Sequence, residues 1–268
     1  MDFRVFQSFL FRLFLARGAG KFCVRLFMVV WALLVICSPL VEAGGRLVLT
    51  PEIGFFSISG TDTSTDATAV VSSVYNWGIT ATWFQPLRGS YEGFLRAGLK
   101  SFGMAAPSNA TVLNAQQTFA AVALGFRRPM GRRLVLSAYL DLNQYLLLQS
   151  ASINTINLAT GRWPGIGIGL DFLLFRIRTV QFLIALNGGG ALPIDSPGYG
   201  IKLYSEGRAT VAFSVRRLGV MIGPYARLQT VSSSIITQAY AELGVTALVG
   251  FTFGRRQGRY MFSFSPRK

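Results

Sequence analysis

The chain contains no histidine among its 268 residues. Histidine is the side chain that ordinarily titrates near neutrality, and it is the most frequent general base. Without it, Ser-His and Cys-His nucleophilic arrangements cannot be assembled. Cysteine is nearly missing as well: Cys23 and Cys37 are the only two, and both lie near the N-terminus. If that end is removed, the remainder can form neither a disulfide nor a thiolate metal site. Charged residues make up 14% of the chain, well below the roughly 25% of ordinary soluble domains. Acids are the scarcer sign, 11 against 26 bases, for a formal net charge of +15. Beyond the N-terminal region, Arg, Asn, Gln, Asp or Gly interrupts every apolar run. That argues against an α-helical membrane bundle, which needs several uncharged stretches of about 20 residues. The sequence also lacks a Gly-rich phosphate loop following a strand and any metal-ligand spacing, so no cofactor and no metal are expected.

What the chain has in quantity is apolarity arranged in alternation: 51% hydrophobic residues, with 22 Phe and 29 Gly. The stretch 238–254 is the clearest instance. Its odd positions, from Ala239 through Leu243, Val245 and Val249 to Phe253, are all apolar. Its even positions, among them Gln238, Tyr240, Glu242, Gly244, Thr246 and Thr252, are mostly polar or small. A period of two marks a β-strand with two unlike faces. The length suits a tilted strand crossing a bilayer better than a globular strand of about 5–6 residues.

The pattern recurs. Strands are expected over 46–60, 69–86, 91–104, 117–126, 134–147, 165–175, 180–187, 202–215 and 218–231, ten in all with 238–254. In 69–86, Val71, Tyr75, Trp77, Ile79, Ala81 and Trp83 are expected on one face, and Ser72, Asn76, Thr80 and Thr82 on the other. The phase is set by 91–104. Tyr91, Leu95, Ala97 and Leu99 share one face there, and Glu92, Arg96 and Lys100 share the other. A Lys or Arg facing lipid at mid-bilayer costs roughly 2–4 kcal/mol, so the charged row must face a lumen. Connections alternate between short turns and longer polar loops, the latter at 61–68, 105–116, 148–163, 188–201 and 232–236. A closed barrel satisfies every backbone hydrogen bond within lipid. The expected fold is therefore all-β, a closed antiparallel up-and-down transmembrane β-barrel of about ten strands spanning residues 44–254.

The N-terminal end reads as a cleaved signal peptide. Arg4, Arg12, Arg17, Lys21 and Arg25 precede an uncharged segment at 26–41, and Val41-Glu42-Ala43 offers a cleavage point near Ala43. Residues 255–268 form a basic and aromatic tail.

On this phase the inner face carries Glu52, Glu92, Asp141, Asp171, Glu206 and Glu242 together with Arg96, Lys100, Arg208 and Arg227. Charges of both signs in a narrow lumen imply ion pairs and hydrogen bonds, either as a structural polar core or as the lining of a narrow solute path. The short turns concentrate arginine: Arg88, Arg127, Arg128, Arg132, Arg133, Arg176, Arg178, Arg216, Arg217, Arg255 and Arg256. All would lie at one end of the barrel, as a basic rim facing anionic headgroups. A pI near 10.7 raises nucleic acid as a partner. The bases line turns rather than an aromatic-interleaved groove, which argues against it.

In these features the chain resembles small Gram-negative outer-membrane β-barrels as a class, over roughly residues 46–254. The alternating row Leu243, Val245, Val249, Phe251 and Phe253 is similar to the C-terminal assembly signal of that class, although residues 255–268 follow it here. The resemblance implies export to the outer membrane and insertion by the barrel assembly machinery. It implies contact with lipopolysaccharide and phospholipid headgroups, and loops turned outward. The functions to expect are structural, surface-interaction or porin-like narrow-channel roles. A lipid-modifying or hydrolytic enzyme is the alternative, disfavoured by the missing histidine.

Overall fold

The computed structural model describes residues 45–62, 68–87, 90–105, 111–152, 155–177, 179–194, 199–215, 218–233 and 236–253. The expected signal peptide (1–43), the tail (255–268), and Arg88, Arg178, Arg216, Arg217, Arg255 and Arg256 lie outside these residues. Eleven strands follow one another: β1 Arg46–Asp62, β2 Thr68–Pro86, β3 Glu92–Ala105, β4 Thr111–Leu113, β5 Gln116–Met130 and β6 Leu134–Ser152. Then come β7 Thr155–Ile177, β8 Val180–Ala191, β9 Tyr199–Val215, β10 Leu218–Ser233 and β11 Ile236–Thr252.

Ten of these strands pair antiparallel in chain order, and β1 closes the ring on β11, with Leu49 opposite Val249 and Phe55 opposite Leu243. The sheet therefore has no free edge along the barrel wall, the condition for a β-structure to cross lipid. The eleventh strand, β4, is a three-residue piece that pairs parallel with the far end of β7.

Alternation decides which side chains face out. Ile53, Phe55 and Ile168 are 67%, 75% and 71% exposed on the outer surface. Leu124, Leu140, Leu228 and Leu243 join them in a continuous apolar belt. In water a belt this large would be an aggregation liability; against acyl chains it is the solvated surface. Turn chemistry agrees with the path. Gly131, at φ 77°, takes the left-handed position in the three-residue turn between β5 and β6, a conformation that glycine adopts without steric penalty.

Two expectations about phase and length are corrected. Val71 does not share a face with Trp77. It is buried and faces inward opposite Ile58, whereas Ser72 is exposed. Between Ser73 and Tyr75 the register against β3 slips by one residue. Val74 is the extra residue of a β-bulge, and a bulge exchanges inside for outside on either side of it. The second correction concerns 148–163, expected as a polar loop. Strands β6 and β7 continue through it as one hairpin, paired from Leu134 opposite Phe172 to Ser152 opposite Thr155.

Candidate functional site: a lidded, ion-paired lumen

The far half of the β6–β7 hairpin does not stand clear of the barrel. Leu146, Leu147 and Leu148 are successive residues on opposite faces of β6, yet all three are buried. They pack in one cluster with Leu158 and Trp163 of β7. The same cluster includes inward side chains of the wall: Phe56 and Ile58 of β1, Val71 of β2, Phe102 and Met104 of β3, Val231 of β10 and Tyr240 of β11. In the ring, β6 and β7 lie diametrically across from β1 and β11. The hairpin thus crosses the mouth at the long-connection end and docks on the opposite wall.

A side chain secures it there. The Leu148 amide donates to Gln238 Oε1 at 3.1 Å, and Gln238 Nε2 donates to the Leu148 carbonyl at 2.8 Å. Both bonds are buried, and Tyr240 donates to the same Gln238 oxygen at 3.2 Å. β4 adds a third strand to this lid, pairing Thr111 to Leu113 along Thr155 to Asn157.

Below the lid, the charged rows expected from sequence meet. Arg227 stands directly between Glu206 and Glu242 as their cross-strand neighbour on β9 and β11, so strand pairing alone brings opposite charges together. Its guanidinium donates to Glu206 Oε2 at 2.6 Å and Glu242 Oε2 at 3.0 Å, and it reaches Glu52 Oε2 at 3.4 Å. Arg208 donates to Glu206 Oε1 at 2.5 Å and lies 4.0 Å from Glu52. Glu242 also accepts from Lys100, from Asn76 at 2.8 Å and from the Tyr225 hydroxyl at 2.6 Å. Tyr225 reaches it by lying flat over the facing pair Gly54 and Gly244. A Cβ at Gly244 would fall 2.8 Å from the Tyr225 ring.

A second cluster closes in at the short-turn end. Glu92 accepts from Arg127 at 2.6 Å and from Arg46 at 3.1 Å. The two guanidinium carbons stand 3.9 and 4.6 Å from the Phe84 ring centroid, within cation–π range. This corrects the expectation for Arg127, placed by sequence in the basic rim. β5 runs on to Met130, so Arg127 sits inside a strand, opposite Glu92, with its side chain in the lumen. Arg128, the next residue, faces out and donates to Tyr91 at 2.9 Å. Arg132 and Arg133 are exposed in the turn, and Arg176 is exposed near the end of β7.

Between the two clusters and the lid lies a cavity of about 340 Å³. Arg96, Asp141 and Asp171 line it. Asp141 Oδ2 accepts from Asn143 at 2.5 Å and sits 3.2 Å from the Tyr204 hydroxyl, which is also 3.2 Å from that of Tyr139. The sequence reading passed over Lys202, which lines the same cavity with none of its surface exposed. Its signal was available, since it shares the parity of Tyr204 and Glu206 along β9. Arg46 likewise shares the parity of Glu52. Among the described residues, no group of His, Cys, Asp and Glu is placed to hold a metal ion.

A continuous outward belt of exposed apolar side chains, enclosing a closed ring of strands with ion pairs inside, can be solvated only by lipid. The fold is a transmembrane β-barrel. No protein-family model matches this barrel's sequence, and no curated protein does either. Solved structures that overlay on it include the outer membrane protease OmpT from Escherichia coli. That match has 9% identity, covers 78% of this chain and 96% of that one, and has a TM-score of 0.49. The toluene transporter TodX of Pseudomonas putida overlays at 9% identity, with 80% and 91% coverage and a TM-score of 0.32. The attachment invasion locus protein Ail of Yersinia pestis overlays at 7% identity, with 77% and 99% coverage and a TM-score of 0.30. All three are outer-membrane barrels. At such identities and TM-scores no residue role passes from them to this barrel, whose class rests on its own closure, belt and lumen.

Proposed function

We propose that the protein resides in the outer membrane as a narrow channel for small solutes, shut at rest by the β6–β7 lid. The lid end faces the exterior and the short-turn end faces the periplasm. The observation that carries this reading is the cavity. A barrel of about eight strands is just filled by its own side chains; this one keeps about 340 Å³ between a latched lid and the Arg46–Glu92–Arg127 cluster at Phe84. A purely structural barrel has no use for a hairpin that closes a chamber. The exposed bases Arg132, Arg133 and Arg176 would meet anionic headgroups at the inner rim. This reading takes the role as non-catalytic; without histidine no Ser-His or Cys-His pair can be assembled. Turnover assays on lipopolysaccharide and phospholipid are expected to show none.

The lid offers its own test. A Cβ built at Gly60 lies 3.8 Å from the Leu148 Cβ, the usual separation across a disulfide. Gly60→Cys/Leu148→Cys in the leaderless barrel should therefore cross-link lid to wall. In planar bilayers the oxidised protein should be silent, and reduction should restore discrete, brief openings like those of the parent. Deleting residues 146–161 should give larger, lasting steps. A lid-deleted barrel that still shows heat-modifiable migration but conducts nothing would reduce the reading to a structural barrel.

A further inference from the structure

Most of the lumenal charge is matched, but four side chains lining the chamber make no ion pair among the described residues: Arg96, Lys202, Asp141 and Asp171. Lys202 is fully buried, and its Nζ has no hydrogen-bond partner, resting against the Tyr145 ring with the Tyr204 ring centroid 5.8 Å away. Asp141 Oδ1 is buried without a partner as well, its other oxygen being held by Asn143. The Arg96 guanidinium lies 5.8 Å from the Tyr139 ring centroid and 5.4 Å from that of Phe94. Asp171 joins them in the lining with no hydrogen bond among the described residues.

A buried charge without a partner destabilises a fold, and exchanging it for an apolar side chain of like volume often stabilises. Groups that break a packing rule without a local compensation tend to mark functional sites. The signs of these four narrow the chemistry. A simple anion would satisfy Lys202 and Arg96 while leaving two desolvated carboxylates in the same chamber. A simple cation would leave two desolvated bases. Only a molecule carrying both signs answers all four. The chamber, near the lower end of the roughly 300–1,000 Å³ of small-molecule sites, holds one compact molecule and no oligomer.

We infer that the chamber binds a small zwitterion of amino-acid chemistry, its anionic group toward Lys202 and Arg96 and its cationic group toward Asp141 and Asp171. Tyr139 and Tyr145 flank its body. The inference rests on the channel reading only for the route of entry; binding itself requires no conduction.

The test uses the folded barrel in detergent, with calorimetry and Trp163 fluorescence as readouts. Trp163 is buried in the lid cluster beside Tyr145, so it reports occupancy of the chamber. The probes are L-phenylalanine and L-leucine, with 3-phenylpropionate lacking the ammonium and phenethylamine lacking the carboxylate. One of the two amino acids should bind at least about tenfold tighter than either singly charged analogue, and Lys202→Met and Asp141→Asn should each weaken it by about tenfold or more. Lys202→Met should still fold, since it removes an orphaned buried cation. Equal binding of 3-phenylpropionate would reveal a plain anion site and overturn the inference. Equal binding of phenethylamine, or no binding of either amino acid, would overturn it too. An intact barrel that conducts but binds neither amino acid would sink this inference and spare the channel. Binding by a barrel that never conducts would do the reverse.

Discussion

Arg227 is the single side chain on which the lumen depends most, because three carboxylates converge on it: Glu52, Glu206 and Glu242. Removing one partner of a buried ionic cluster costs roughly 3–5 kcal/mol, since the charges left behind keep their desolvation penalty. Arg227→Met should lower the stability of the detergent-solubilised barrel by about that much, read as a shift of the urea midpoint for loss of heat-modifiable migration. Adding Glu206→Gln should recover part of the loss. No recovery would mean that Arg227 acts by packing rather than by charge. At this scale, alternation correctly anticipated that Glu206, Arg208, Arg227 and Glu242 share a face. It could not anticipate which would pair, because that depends on the stagger between strands, which places Arg227 level with both Glu206 and Glu242. Arg127 was misread for a local reason. Four arginines within seven residues look like a turn, whereas the proline among them, Pro129, is accommodated near the end of β5.

Among the elements, the β6–β7 hairpin is the one a linear reading hides. A period of two is visible only where one face of a strand meets lipid and the other meets a polar interior. Along Leu146-Leu147-Leu148 both faces meet protein, so the row becomes uniformly apolar and the alternation stops. That cessation looks like the end of a strand, and the Ser, Asn and Thr that follow look like a loop. The latch gives this element its own prediction. Gln238→Leu would leave the Leu148 amide and carbonyl without their two buried bonds, at a cost of about 1–3 kcal/mol, confined to the lid. Hydrogen exchange at the Leu148 amide should quicken and openings in bilayers become more frequent, while the barrel's melting stays near that of the parent. A global loss of stability instead would show that lid and wall unfold as one unit. The β2 bulge is hidden for a related reason. One inserted residue, Val74, exchanges the two faces, and a short segment offers too few positions to reveal the change of phase.

For the molecule as a whole, the belt and the lumen make opposite demands on charge. Ile168 lies on the outer face between Ala138 and Gly188 of the flanking strands. Ile168→Arg should cost roughly 2–4 kcal/mol if the site sits near the bilayer midplane. The fraction folded into vesicles should fall, whereas the lumen already holds seven bases (Arg46, Arg96, Lys100, Arg127, Lys202, Arg208 and Arg227) within the same wall. Undiminished folding of Ile168→Arg would contradict a lipid-facing belt.

The sequence by itself determined that strands alternate oily and polar residues, that about ten of them close a ring, and which face turns to lipid, because side-chain parity is a property of each strand alone. Tertiary structure decided what that ring encloses. Whether a hairpin stands free or folds across a mouth, and which charges pair while Lys202 and Asp141 stay without a partner, depends on contacts between residues dozens to nearly two hundred positions apart. No local pattern encodes such contacts.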